Sequence, residues 1–181
     1  GYHLQHFYDL LARSQIALYE GDADDALRQL DAGWRDLKGS LALQIQLVRI
    51  NMHHLRGRAA VARRREETEA GRRARLAVAA RAARVLERQD AQWAAPLAAA
   101  LRAALAVQGG QRDGARVALS AAVEGFRDCD MALFHATARR RHGELVGGAA
   151  GLAEVAEADD WMRVHGVVSP DRMTALLMPG F

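Results

Sequence analysis

The sequence predicts an all-α protein laid out as a row of antiparallel helix hairpins, on three observations. Half of the 181 residues are hydrophobic but only 6% are aromatic, and Ala and Leu dominate, a composition that favours helix over sheet. Pro96, Pro170 and Pro179 are the only prolines, so long stretches run without a breaker. Apolar residues recur at three- and four-residue steps along almost the whole chain, and no β-branched alternating run of strand length interrupts them.

The first pattern covers residues 3–19, with Leu4, Phe7, Leu11, Ser14, Ala17 and Leu18 on one stripe. Gly21-Asp22-Ala23-Asp24-Asp25 reads as the turn of a hairpin, because Gly21 suits a left-handed helix end and Asp22 or Asp24 can cap the next helix. That second helix spans Asp24 to Lys38 (Ala26, Leu27, Leu30, Trp34) and is closed by Gly39-Ser40. Leu41 to about Arg65 reads as one long helix whose wide apolar arc, from Leu41 through Ile45, Val48, Met52, Leu55, Ala59 and Ala62, must pack on two sides. Arg63 to Gly71 is a charged junction, after which Leu76 to about Arg88 resumes.

The next helix runs from Asp90 to Val107 with Pro96 near its start, and Gly109 to Ala115 echoes the first turn, with Ala115 placed as Ala26 is. Its partner runs to Phe126. Asp130 to Val146 and Leu152 to Val164 form a further pair around Gly147-Gly148-Ala149-Ala150-Gly151. Ser169-Pro170-Asp171 starts a last short helix, with Met173, Leu176 and Leu177 docking it on the preceding hairpin. The organisation is therefore one domain over 1–181, with hairpins at about 3–38, 41–88, 90–127 and 130–165 and a cap at 170–177.

The net charge of +3 hides an uneven distribution: residues 41–88 carry twelve Arg against four Glu, while both flanks are acidic. Arg63-Arg64-Arg65 with Arg72, Arg73 and Arg75 would suit phosphate, but Glu66, Glu67 and Glu69 fall at pairing distance and no aromatic platform lies nearby, which argues against nucleic acid. One cysteine, Cys129, fits a reducing, cytoplasmic setting, and no apolar run reaches the length of a membrane span. The opening Gly1-Tyr2-His3 does not read as a natural start, so the chain is expected to be the C-terminal fragment of a longer protein.

Catalytic chemistry finds no support in the residue pattern. Four serines stand outside any Gly-x-Ser-x-Gly turn, and Cys129, though it precedes an expected helix start at Asp130 that would lower its pKa, reads as a lone partly buried thiol because reactivity needs a basic partner nearby. The glycines at 147–151 have neither a preceding strand nor a following Lys-Ser/Thr. Seven histidines include no metal-ligand spacing, since adjacent His53 and His54 point to different helix faces. The expectation is a non-enzyme without cofactor or metal.

The hairpin layout, a helix, a Gly-Asp turn and a second helix with small residues at the crossing, resembles a tetratricopeptide unit, and the whole chain a tetratricopeptide-like helical-repeat solenoid. In such arrays the first helix of each pair lines a concave groove that takes peptides. That register nominates the polar stripe Gln46, Arg49, His53 and Arg56, extended by Tyr8, Leu11, Gln15 and Leu18. Every amphipathic helix has a polar face, so the same stripe also reads as solvated surface.

Further blocks carry a narrower resemblance. Gln5-His6-Phe7-Tyr8-Asp9, Gln15 to Asp22, Ile45 to Ile50, His54 to Ala59, Ala138 to Gly148, Ala158 to Met162, Pro170 to Met173 and the closing Pro179-Gly180-Phe181 resemble the C-terminal tetratricopeptide-like tail of large bacterial, myxobacterial-type serine/threonine protein kinases. The resemblance implies a regulatory module binding a protein or peptide, either in trans or from another domain of the same chain, and a natural C-terminus at Phe181. The kinase motifs themselves are absent from these residues. A ligand- or peptide-sensing domain of a transcription regulator and a structural dimerisation module are the alternatives, and the oligomeric state stays open.

Overall fold

The structure is a computed structural model, and it describes residues 3–62 and 67–181. Among those residues the regular structure is helical throughout. Nine α-helices follow one another: α1 (Leu4–Glu20), α2 (Ala23–Gly39), α3 (Gln46–Val61), α4 (Glu69–Glu87), α5 (Ala94–Gln108), α6 (Arg112–Asp128), α7 (Ala132–Val146), α8 (Gly148–Val164) and α9 (Pro170–Leu177). None is long and apolar enough to cross a membrane.

The turns follow from local chemistry. Gly21 takes φ 84° and ends α1, the Asp22 N–H closes back on the Ala17 carbonyl at 2.8 Å, and the Asp22 side chain accepts from the Asp25 N–H. This is a left-handed helix cap feeding directly into an N-cap. The same closure recurs at Gly110 (φ 73°), where the Gln111 N–H reaches the Ala106 carbonyl at 2.8 Å. Ala26 and Ala115, each the fourth residue of its helix, are both wholly buried. The echo between the two turns is thus structural.

Consecutive helices pack in pairs, α1 on α2, α3 on α4, α5 on α6 and α7 on α8, and α3 also touches α1 and α5. A glycine lies at the crossing of each pair. A Cβ on Gly33 would come 2.8 Å from a Leu10 methyl, one on Gly57 would meet Leu101 and Ala82, one on Gly125 would meet Pro96, and one on Gly151 would stand 2.3 Å from the Gly143 carbonyl oxygen. Backbones approach closely because no side chain separates them.

Several boundaries differ from the sequence expectation. The helix expected from Leu41 breaks into a 3-10 turn, Leu41–Gln44, and α3 begins only after Ile45 turns extended. Ser40 caps that turn at the Ala42 N–H, and the Arg49 guanidinium holds the Leu43 and Gln44 carbonyls. Leu41 and Ile45 consequently stand exposed, outside the apolar arc expected to include them, as does Leu47 in the first turn of α3, while Val48, Met52, Leu55, Ala59 and Ala62 are buried.

Helix α4 begins at Glu69, well before Leu76, because Thr68 accepts from the Gly71 N–H. Helix α8 begins at Gly148: only Gly147 forms the turn, and Gly151 is already helical at the α7 crossing. Ser169 donates to the Asp171 carboxylate and does not cap α9 through its side chain. The run Arg63 to Arg65 lies outside the described residues. Its described neighbours are paired, Arg75 with Glu67 at 2.9 Å, Arg72 with Glu69 at 3.1 Å and Arg73 with Glu69 at 3.5 Å.

Two apolar clusters form the core and α3 joins both. Phe7, Leu10, Leu30, Leu37, Met52 and Leu55 lie in one, with Leu176 and Leu177 from α9. Ile50, Leu86, Leu101, Leu119, Phe126 and Met178 lie in the other. Helix α9 does not simply dock on the α7–α8 hairpin; it also packs on α1, bridging α1 and α7.

Candidate functional site

The structure gathers Gln46, Arg49, His53 and Arg56 on one face of α3, but that face is turned toward α2 and the α4–α5 junction. Gln46 donates to the Asp90 carbonyl at 3.1 Å, and Arg49 Nε to Gln89 Oε1 at 2.8 Å. The Arg56 guanidinium lies 4.4 Å from the Trp34 ring centre and donates to Asp31 at 2.7 Å. His53 meets the same indole edge-on at 5.1 Å. Burial, then the charges of Arg56, Arg49 and Lys38, push the His53 pKa down to about 4, so its ring is neutral at pH 7. Arg49 commits three hydrogen bonds inside the chain, whereas Arg56 makes one, to Asp31, and leaves its buried Nε without a hydrogen-bond partner.

On α1, Tyr8 is 52% exposed, Leu11 and Gln15 are half-buried, and Leu18 is buried in the core. Among the described residues no hydrogen bond or ring contact joins the Tyr8, Leu11 and Gln15 group to the α3 stripe.

A different constellation exists where the chain crosses the odd-numbered helices on its way from α9 to Phe181. Arg58 of α3 donates to the Leu176 carbonyl at 3.0 Å, Arg141 of α7 to the Met178 carbonyl at 2.9 Å, and Gln108 at the end of α5 to the Gly180 carbonyl at 3.3 Å. Three side chains on three helices thus capture every second carbonyl of one segment. Past Leu177 that segment is non-helical, so its carbonyls have no partners of their own.

Each of the three donors is held by further contacts. Arg58 is only 4% exposed; the guanidinium sits at the C-terminal end of α9, where the helix dipole offers partial negative charge. Desolvation lowers its pKa to about 10, and its Nε has no hydrogen-bond partner. Next to it, burial and then the Arg58 charge hold His54 well below the usual histidine range, and its ring lies 5.8 Å from Phe134. Gln108 also donates to the Val61 carbonyl at 2.6 Å and accepts from Arg75, which Glu67 clamps through two bonds of 2.9 and 3.0 Å. Arg141 is braced by Glu144 at 2.7 Å, with its guanidinium 5.5 Å from the Phe181 ring centre.

Shape fixes the segment as firmly as hydrogen bonding does. Gly180 has φ 95°, and a Cβ there would sit 2.7 Å from the Val61 carbonyl oxygen and 2.9 Å from Gln108 Nε2. Pro179 and Gly180 are buried. A cleft of about 220 Å³ runs beside them, bounded across from the tail by Leu18, Gly21, Ala23 and Ala62. One edge of the segment is therefore open.

Sequence reasoning missed Arg58, Gln108 and Arg141. Arg58 did carry a signal, because it falls between Leu55 and Ala62 on the buried side of α3, where a charge needs a partner. Gln108 and Arg141 carry no comparable signal, since each looks like an ordinary helix-end or surface residue.

Elsewhere many polar groups are paired across neighbouring helices, although Ser14, Gln29 and Thr174 each keep a buried polar atom without a hydrogen-bond partner. Between α6, α7 and α8, His142 meets Glu154 at 2.8 Å and Arg139 meets Glu157 at 2.8 Å. Among the described residues no three His, Cys, Asp or Glu side chains are grouped to hold a metal. Cys129 is half-buried at the C-terminal end of α6, not at the start of α7, which begins at Ala132. No family model, curated protein or solved structure matches the chain.

Proposed function

We propose that the chain is a non-catalytic, tetratricopeptide-like protein-interaction module that holds an extended peptide across its odd-numbered helices. The observation that carries this reading is the pair Arg141 and Gln108 on the alternate Met178 and Gly180 carbonyls of the non-helical segment, with Arg58 holding the Leu176 carbonyl at the end of α9. Donors aimed at main-chain carbonyls recognise an extended backbone without requiring a particular side chain at each step, which is how a rigid scaffold takes linear peptides. The paired helices, the glycine at each crossing and the matching Gly21 and Gly110 turns support a divergent tetratricopeptide-like array.

As part of the same proposal, the module is the regulatory tail of a cytoplasmic bacterial serine/threonine protein kinase, with a protein or peptide as partner. Deleting it from the parent kinase is expected to change autophosphorylation or substrate phosphorylation, and unchanged output would overturn that half. Peptide binding is tested separately by titrating a library of extended peptides into isotope-labelled protein. Shifts centred on the Gln108 side-chain amide and the Arg58 and Arg141 guanidinium signals are expected. Binding confined to other surfaces, or none, would overturn the groove.

A second reading, self-association, is favoured by one feature. Helix α8 leaves Ala149, Leu152, Ala153 and Ala156 exposed on one small-residue stripe. A concentration-independent monomer by light scattering would remove it.

A further inference from the structure

We propose that the exposed face of α4 is a docking surface for an acidic α-helix of a protein partner. This deepens the reading of the chain as a protein-interaction module but needs nothing from the groove, whose donors lie on α3, α5 and α7.

Helix α4 packs on α3 and α5 and buries Ala79, Ala82, Ala83 and Leu86. Its other side faces solvent, and Arg73, Arg81, Arg84 and Arg88 are all exposed there. At about 100° of turn per residue these four fall within an arc of roughly 80°, and they span about 22 Å along the helix axis. The exposed residues that share the face, Ala70, Ala74 and Ala77, are small.

The charge of this face is largely uncompensated. The two exposed carboxylates of α4, Glu69 and Glu87, lie together off one edge of the arc, and both are engaged. Glu69 meets Arg72 and Arg73, and Glu87 takes two bonds from the Arg102 guanidinium of α5, at 2.7 and 3.0 Å. Among the described residues no side-chain hydrogen bond or ion pair holds Arg81, Arg84 or Arg88. Like charges three and four residues apart repel along a helix, so a line of negative charge laid on this face would relieve the strain.

The chemistry of the face selects the occupant. Helix α4 exposes no large apolar side chain, so it offers nothing to bury in a lipid surface. It holds no aromatic, Asn or Gln side chain to stack on a base or read its edge. The alanines form a low seam against which a second helix can approach closely, while the long arginine stems reach around it. Guanidinium groups grip carboxylates bidentately, as Arg102 grips Glu87 beside this same face. The complementary partner is a helix with Asp or Glu at three- and four-residue steps.

The test uses the full chain and a dye-labelled, Ala-rich helical peptide carrying Glu at the steps of the four arginines. Fluorescence anisotropy should show binding that weakens as salt rises. Arg81→Glu/Arg84→Glu, which changes exposed positions only and should leave the circular dichroism spectrum unaltered, should weaken binding about tenfold or more. Arg28→Glu, an equally exposed arginine on α2, should leave the affinity unchanged. A peptide of the same composition with its Glu residues ringing the helix should bind about tenfold less well. Equal affinity for the two peptides, or for wild type and the double variant, would overturn the proposal. So would tighter binding of a DNA duplex, a single-stranded RNA or phosphatidylserine vesicles than of the peptide. The Gln108 side-chain amide should not shift with this peptide; a shift centred there would assign the binding to the groove and overturn the α4 surface. No binding at all would overturn the α4 surface too, while the library titration decides the groove on its own.

Discussion

Gly151→Ala is a sharp probe of how closely α7 and α8 approach. The added Cβ would lie 2.3 Å from the Gly143 carbonyl oxygen and 3.3 Å from its carbonyl carbon. Both are backbone atoms, so no side-chain rotation relieves the contact, and the helices must separate by roughly 1 Å to restore ordinary packing. Overpacking of this kind costs about 1–3 kcal/mol. The gain in helix propensity on replacing Gly by Ala offsets up to about 1 kcal/mol. The net loss should therefore be about 1–2 kcal/mol, or a fall in melting temperature of roughly 2–8 °C for a domain of this size. Gly39→Ala is the matched control, because nothing lies within 4 Å of its Cβ position at the end of α2. It should be neutral or slightly stabilising. Urea unfolding followed by circular dichroism at 222 nm measures both. A Gly151→Ala protein as stable as wild type would refute the close α7–α8 crossing.

Arg58→Ala should destabilise the fold by about 2–4 kcal/mol, since it removes a buried stem and leaves the Leu176 carbonyl unpaired. Arg58→Met should recover part of that loss in the same urea assay, because it restores the apolar volume but not the donor. Acid should weaken the fold over a defined window. His53 titrates near 4 when folded and near 6.5 when unfolded, so its contribution is fully present above 6.5 and is lost as pH falls through that interval. Burial lowers His54 and His135 too, in the same direction. Partial exposure of His53 keeps its share below the roughly 1.4 kcal/mol per pH unit that a fully coupled proton would give. Unfolding midpoints at pH 7, 6, 5 and 4 should decline steadily, with a shallower slope in His53→Gln; a flat profile would contradict the burial of these rings.

Hairpin turns are the most legible part of this fold. Gly21-Asp22 carries its own instructions, a left-handed cap and a side-chain acceptor, and the structure uses both. The two-sided packing of α3 is readable for the same reason, because the width of an apolar arc reports how many neighbours a helix has. Helix starts are less legible. Leu41 to Gln44 continues the helical period of α3 but is diverted by Ser40 and Arg49, a competition decided by contacts that periodicity does not encode. The groove is the least legible feature. Counting polar positions along α3 finds the stripe that faces α2, whereas Arg58 and His54 lie on the apolar side and gain their partners only from α9 and α7. A residue's role is hidden from sequence when its partner lies more than a hundred positions away.

The bridge that α9 makes between α1 and α7 has a consequence for how the chain unfolds. In an open helical array each unit feels only its neighbours, so the ends fray first and intermediates accumulate. Here the last helix is buckled onto the first, and neither end can loosen without breaking contacts made by the other. Such closure raises the sequence separation of native contacts, which slows folding and sharpens the transition. The molecule should therefore behave less like a spring losing coils than like a clasped bracelet, intact until the clasp opens.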